Sequence, residues 1–249
     1  MVRFVIRLVL VALIYFSGAS FLLADGLPSD LSQQSDEIFK EYVRDGLVDY
    51  PSLKKNRAKL DEVIRYLAKI DSLEFSSKNQ ELAFWINTYN ILVLHSVVEV
   101  YPIKSPMDVS GFFDQQVHSV GNKKLTLNDI ENKIIRPKFK DARIHFALVC
   151  AAMGCPILID SAFFGETLDQ QLKQKSMESL NNEKNVRVDK KSKKIFVTEI
   201  FKWYKDDFTE EGKTIIDFIN KYHDEQIPDD FSINFIQYDW TLNVVKSKS

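Results

Sequence analysis

Glycine and proline are scarce in this chain of 249 residues, at 8 and 7, and no Gly-, Ser- or Pro-rich run divides it. Linkers, disordered tails and repeat arrays are therefore excluded, and the length suits one domain with one sizeable core. Neither sign of charge dominates. Lys and Arg number 33 against 35 Asp and Glu, a net charge of −2, so no general attraction to nucleic acid or acidic lipid is implied. The four histidines form no H-x-x-x-H or H-E-x-x-H pair, which argues against a zinc centre. There is no G-x-S-x-G elbow, phosphate loop or dinucleotide fingerprint. No metal or cofactor is expected. Cysteine is rarest of all, with Cys150 and Cys155 alone.

What is present begins with an N-terminal leader. Arg3 and Arg7 precede an uncharged, mostly apolar run from Leu8 to Leu23, and small residues at Ala19, Ser20 and Ala24 offer cleavage positions. The run is shorter than the roughly 20 residues of a comfortable membrane span. Residues 1–24 thus read as an export signal, or as an N-terminal anchor if uncleaved, with 25–249 as the folded domain. Without the two arginines the chain carries about −4. The expected setting is the periplasm or the exterior, with an envelope substrate or protein partner and membrane contact only through the leader. In such an oxidising compartment a lone cysteine pair is often a disulfide.

Apolar periodicity predicts helices over Ser32–Gly46, Leu53–Ile70 and, after a Ser77…Gln80 capping box, from Glu81 to Tyr101. The last is apolar on nearly every side and should be the buried centre of the fold. Asn87 and Asn90 interrupt it one turn apart, and buried amides need partners, either a neighbouring loop or a substrate. Hairpins are predicted at Gln116–Leu125 and from Asn185 to Thr198. A short helix capped by Thr126 and Asp129 carries Glu131 and stops before Pro137. Helices follow over Gly165–Leu180, from Thr198 and over Lys213–His223, and Phe231–Trp240 closes the chain as a strand. The expectation is an α+β fold, helix-rich around a small antiparallel sheet.

The densest chemistry lies in Asp141–Pro156, D-A-R-I-H-F-A-L-V-C-A-A-M-G-C-P. Arg143–Ala152 fits either a strand or a core helix by length and hydropathy. A cysteine nucleophile needs a base and a group to orient that base. Cys150 or Cys155 would supply the thiol, His145 or His118 the base, and Asn87, Asn90 or Glu131 the orienting group. The sharp Gly154-Cys155-Pro156 turn favours Cys155 on chemistry. If the stretch is a strand, His145 and Cys150 face opposite sides and His118 is the better base. The spacing of the cysteines is not the C-x-x-C of thioredoxin-like sites. Asp206-Asp207 and Glu210-Glu211 read as solvated faces, and Trp85, Trp203 and Trp240 as core.

Five segments, A-F-W-I-N-T-Y-N (Ala83–Asn90), L-T-L-N-D-I-E (Leu125–Glu131), R-I-H-F-A-L-V-C-A-A-M-G-C-P-I-L (Arg143–Leu158), I-F-K-W-Y-K-D-D-F (Ile200–Phe208) and Y-D-W-T-L-N (Tyr238–Asn243), together with V-D-Y-P-S-L (Val48–Leu53), resemble the domain of unknown function family 547. The resemblance implies no activity. Some plant relatives carry a disulfide oxidoreductase label by homology. In plant-like variants the position of Cys155 resembles a serine while a cysteine stands at Cys150, which singles out Cys150. The expected function is thiol-dependent hydrolysis or transfer in the envelope. A non-enzymatic binding or scaffold domain and a dithiol/disulfide redox protein are the alternatives.

Overall fold

A computed structural model describes residues 28–70 and 73–245; the predicted leader lies outside them. Helix α1 (Pro28–Tyr42) runs into a minimal hairpin, β1 (Val43–Arg44) and β2 (Leu47–Val48), turned through Asp45 and Gly46 at positive φ. The single helix expected after it is two, α2 (Tyr50–Lys55) and α3 (Ala58–Lys69). Asp49 starts α2 by accepting from the Ser52 N–H at 3.0 Å, and Pro51 falls in the first turn, where no backbone donor is required.

Helix α4 (Lys78–Val100) is the buried centre, with Trp85, Asn87, Asn90 and Leu94 all removed from solvent. Ser77 caps it through the Gln80 N–H, but the Gln80 side chain accepts from Ser76 and not from Ser77. Its interior asparagines are hydrogen-bonded to backbone. Asn87 donates to Phe163 O at 2.8 Å and to Ser32 Oγ at 3.1 Å, and accepts from Phe163 N at 2.9 Å. Asn90 donates to Ala147 O and accepts from Val149 N, both at 3.0 Å.

The hairpin β3 (His118–Val120) and β4 (Lys123–Leu125) leads into α5 (Leu127–Asp129), capped reciprocally by Thr126 and Asp129. The helix does not stop before Pro137. It widens into a π turn over Ile130–Ile135, with the Arg136 N–H reaching back to Glu131 O, and resumes as α6 (Arg136–Phe139). A wider turn relieves the clash between a proline ring and the carbonyl one α-turn back, so the chain passes through Pro137 as helix.

Helix α7 (Leu168–Leu180) precedes β5 (Val186–Asp189) and β6 (Lys194–Thr198). Then come α8 (Ile200–Trp203), α9 (Lys205–Phe208), α10 (Ile215–Asn220) and β7 (Ser232–Ile236). The pair β5–β6 is antiparallel, as expected, whereas β7 lies parallel to β6, with Lys194 opposite Ser232. Parallel pairing requires a crossover, and α8 to α10 provide it. The fold is α+β, with one apolar cluster among the helices and a second over the three-stranded sheet. Cys155 packs against both clusters. Among the described residues no helix is long and apolar enough to cross a membrane.

Candidate functional site

The stretch Arg143–Ala152 is neither strand nor core helix. Asp141 caps one 3₁₀ turn, Ala142–Phe146, and the chain then runs irregularly to Pro156. An irregular buried segment needs outside partners for its peptide groups. Asn90 supplies them at Ala147 and Val149. Beyond the first cysteine, Asn243 N bonds Ala151 O at 3.0 Å, and Met153 N and Gly154 N bond Thr241 O and Asp239 O, each at 2.8 Å. The Y-D-W-T-L-N segment thus holds the cysteine loop in place. Ala151 sits in the left-handed region (φ 59°), a conformation that costs a non-glycine residue about 1–2 kcal/mol. A Cβ on Gly154 would meet Asp239 N at 2.8 Å, inside contact distance. Gly154→Ala should therefore destabilise the fold by about 1–3 kcal/mol, the usual cost of overpacking, read as a lower urea midpoint.

Cys150 and Cys155 are joined as a disulfide. Both line a cavity of about 340 Å³ with Tyr89, Glu131, His145, Trp203, Tyr204, Tyr238 and Trp240. Each of the five long segments above contributes to this wall. The Tyr238 hydroxyl lies 3.0 Å from Cys150 Sγ and 3.2 Å from Cys155 Sγ, and the Cys150 N–H also points at Cys155 Sγ, at 2.7 Å. Burial, and then the charge of Glu131, push the Tyr238 phenol well up, so it remains an O–H donor.

Across the cavity stands an array of charges. His145 Nε2 lies 2.7 Å from Asp207 Oδ2, and its Nδ1 is 4.0 Å from Glu131. Arg136 grips Asp207 at two points, Nε to Oδ2 at 2.6 Å and Nη2 to Oδ1 at 2.9 Å. Burial alone would raise the Asp207 carboxyl, but hydrogen bonds from His145 and Arg136 outweigh it and hold the group well below the carboxylate range. The Tyr204 ring stacks on His145 with centroids 3.9 Å apart and also carries the Arg136 guanidinium 5.0 Å from its centre. Tyr89 and Tyr204 lie close to Glu131, and burial first, then the charge of that carboxylate, raises both phenols. The π turn aims Glu131 into this space, and such turns recur at functional sites.

The structure brings together Cys150, Cys155, His145 and Glu131. It puts His145 and Cys150 on one cavity, because the chain between them is not extended. Asn90 acts from behind the loop, and Asn87 is bound to Phe163, away from the sulfurs. His118 is not on the cavity. It lies on β3, which packs on α3, with Nε2 buried and unpartnered among the described residues. Burial, with a smaller push from His95, lowers its pKa to about 4. The unfolded chain takes up a proton near pH 6.5 and the folded chain near 4. Stability held above pH 6.5 should therefore drain away between those values, by about 2–4 kcal/mol. Urea midpoints falling from pH 7 to 4.5, with a flatter profile in His118→Gln, would show it.

Asp207 is the residue sequence reasoning misread. Its neighbour Asp206 is exposed, and adjacency alone suggested that both were. Arg136, Tyr89 and Tyr204 were likewise missed as members, although Tyr204 and Asp207 stand one helical turn apart in the same segment. Trp203 is not core: it is 44% exposed and forms one rim of the cavity. Among the described residues no group of His, Cys, Asp and Glu is arranged to hold a metal ion.

Fold and site together define a helix-rich α+β domain whose two halves enclose an aromatic cleft with a cysteine pair on one wall and a carboxylate–imidazole–carboxylate array on the other. Residues 73–179 match the model of the family described as Protein of unknown function, DUF547. The match takes in Tyr89, Glu131, His145 and both cysteines; Trp203, Tyr204, Tyr238 and Trp240 complete the cleft from beyond it, and Asp207 holds His145 from behind the wall. No curated protein and no solved structure matches the chain.

Proposed function

We propose that the Cys150–Cys155 pair is a thiol–disulfide exchange centre acting on a substrate held in the cleft, in the oxidising setting to which the leader directs the chain. One observation carries this reading: both sulfurs border the same cleft and share the Tyr238 hydroxyl as a hydrogen-bond donor. A substrate thiolate attacks Cys150 Sγ, the S–S bond breaks, and Cys155 leaves as a thiolate. That thiolate has two donors, Tyr238 O–H and Cys150 N–H, whereas a Cys150 thiolate has only the first, which fixes the direction of cleavage. A second substrate thiol then displaces Cys150. The substrate is oxidised to a disulfide, the pair gains two electrons and two protons, and an external low-molecular-weight disulfide restores it.

Equilibration in buffers of graded reduced and oxidised glutathione, followed by alkylation and intact mass, tests this. The expected result is one reversible two-electron transition. Tyr238→Phe should move its midpoint to more reducing conditions, because the reduced form loses a thiolate donor. A pair that stays oxidised under all conditions in the folded protein would reduce it to a structural crosslink. The charged array supports a second reading, group transfer to reduced Cys150 with Glu131 as base, since both ring nitrogens of His145 face carboxylates. A reduced protein that forms a covalent acyl adduct with an activated ester, abolished in Glu131→Gln, would favour it.

A further inference from the structure

The cleft has a second chemistry that is independent of the sulfurs. Glu131 is 8% exposed at the inner end of the cleft, and the phenols beside it, Tyr89 and Tyr204, are pushed up by burial and so stay uncharged. Among the described residues the basic group within ion-pairing distance of Glu131 is His145, whose Nδ1 at 4.0 Å is too far for a hydrogen bond. Arg136 spends its guanidinium on Asp207 and on Asn132, at 2.6 Å from Asn132 Oδ1. The outer wall is aromatic: Tyr238 lies 4.9 Å from Trp203 and 4.7 Å from Trp240, ring centre to ring centre, and Phe113 continues the line 6.3 Å from Trp240.

A carboxylate at the end of an aromatic trough suits a positive group on an apolar stem. The rings attract the cation through their negative faces, and the carboxylate accepts its N–H bonds. We infer that the cleft binds a primary alkylammonium or an alkylguanidinium, the chemistry that ends a lysine or arginine side chain. An apolar guest alone would cover the Glu131 carboxylate without giving it a partner, and an anion would be repelled. The cavity of about 340 Å³ is at the small end for ligand pockets, enough for such a side chain and not for a folded partner.

Calorimetric titration of the oxidised protein with n-butylammonium, n-butylguanidinium and n-butanol tests the inference. Both cations should bind about tenfold or more tightly than the alcohol, and the difference should shrink as salt is raised. Glu131→Gln should bring the cations down to the level of the alcohol while leaving the alcohol unchanged. Trp203→Ala, at an exposed ring whose loss leaves the core intact, should weaken the cations in a protein with an unaltered melting curve. Equal affinity for alcohol and cations, or no saturable binding of either cation, overturns the proposal. Because the cysteines remain oxidised throughout, this outcome is separate from that of the glutathione titration.

Discussion

Alanine at Asn90 is expected to lower stability by about 3–5 kcal/mol and to loosen the cysteine loop. The amide makes two hydrogen bonds in an apolar core, to Ala147 O and from Val149 N, each 3.0 Å long. Truncation leaves a buried carbonyl and a buried N–H without partners, at about 1–3 kcal/mol each, and adds a small void. Asp is no rescue, since its second oxygen would face the Ala147 carbonyl where Asn places a donor. Urea unfolding gives the energy, and alkylation of the reduced protein gives the consequence for the site. Asn87→Ala is the control. It breaks an equally buried clamp, but on Phe163, so a similar loss of stability should come with unchanged cysteine reactivity. If the two variants changed reactivity alike, general destabilisation and not loop position would be the cause.

The contrast between these asparagines shows where the sequence was readable. Helix α4 was legible because its apolar residues leave no solvent face, and Asn87 and Asn90 stood out for that reason. That they bind backbone was one of two open readings, and nothing local chose between them. Arg143–Ala152 was illegible in another way: it is buried like a strand or core helix, yet its peptide groups are satisfied by a side chain of α4 and by residues 239–243, far away in sequence. The parallel placement of β7 has the same origin, since register with β6 is set by the crossover and not by the strand. The site was half visible. Cysteines, histidine and Glu131 carry chemistry in any context, whereas Asp207 becomes functional only when Arg136 and His145 arrive beside it.

That dependence makes Asp207→Asn the second large effect, about 2–3 kcal/mol of stability and a disordered His145 ring. The carboxylate accepts from Arg136 at two points and contacts His145 at 2.7 Å. An amide of the same shape turns an NH₂ toward one of these donors, and Arg136 is left half-buried with only the more weakly acting Glu131 as counter-charge. The cost stays below the 3–5 kcal/mol of a fully buried pair because Arg136 and Asp207 side chains keep 27% and 24% of their exposure. A double-mutant cycle separates charge from packing. Arg136→Met with Asp207→Asn should cost at least about 1 kcal/mol less than the two single changes added together, because removing both partners strands neither. Additivity would mean that the ion pair contributes only shape. The pH dependence distinguishes this pair from His118. A carboxyl held below its unfolded value near 3.9 gives stability that is complete above that pH and is lost only in stronger acid, as the folded group is protonated. The stability that comes from the Asp207 carboxyl's own titration should therefore stay constant from pH 7 to about 5, while the His118 contribution is already falling; comparing Asp207→Asn in a His145→Gln background removes the imidazole that titrates beside it.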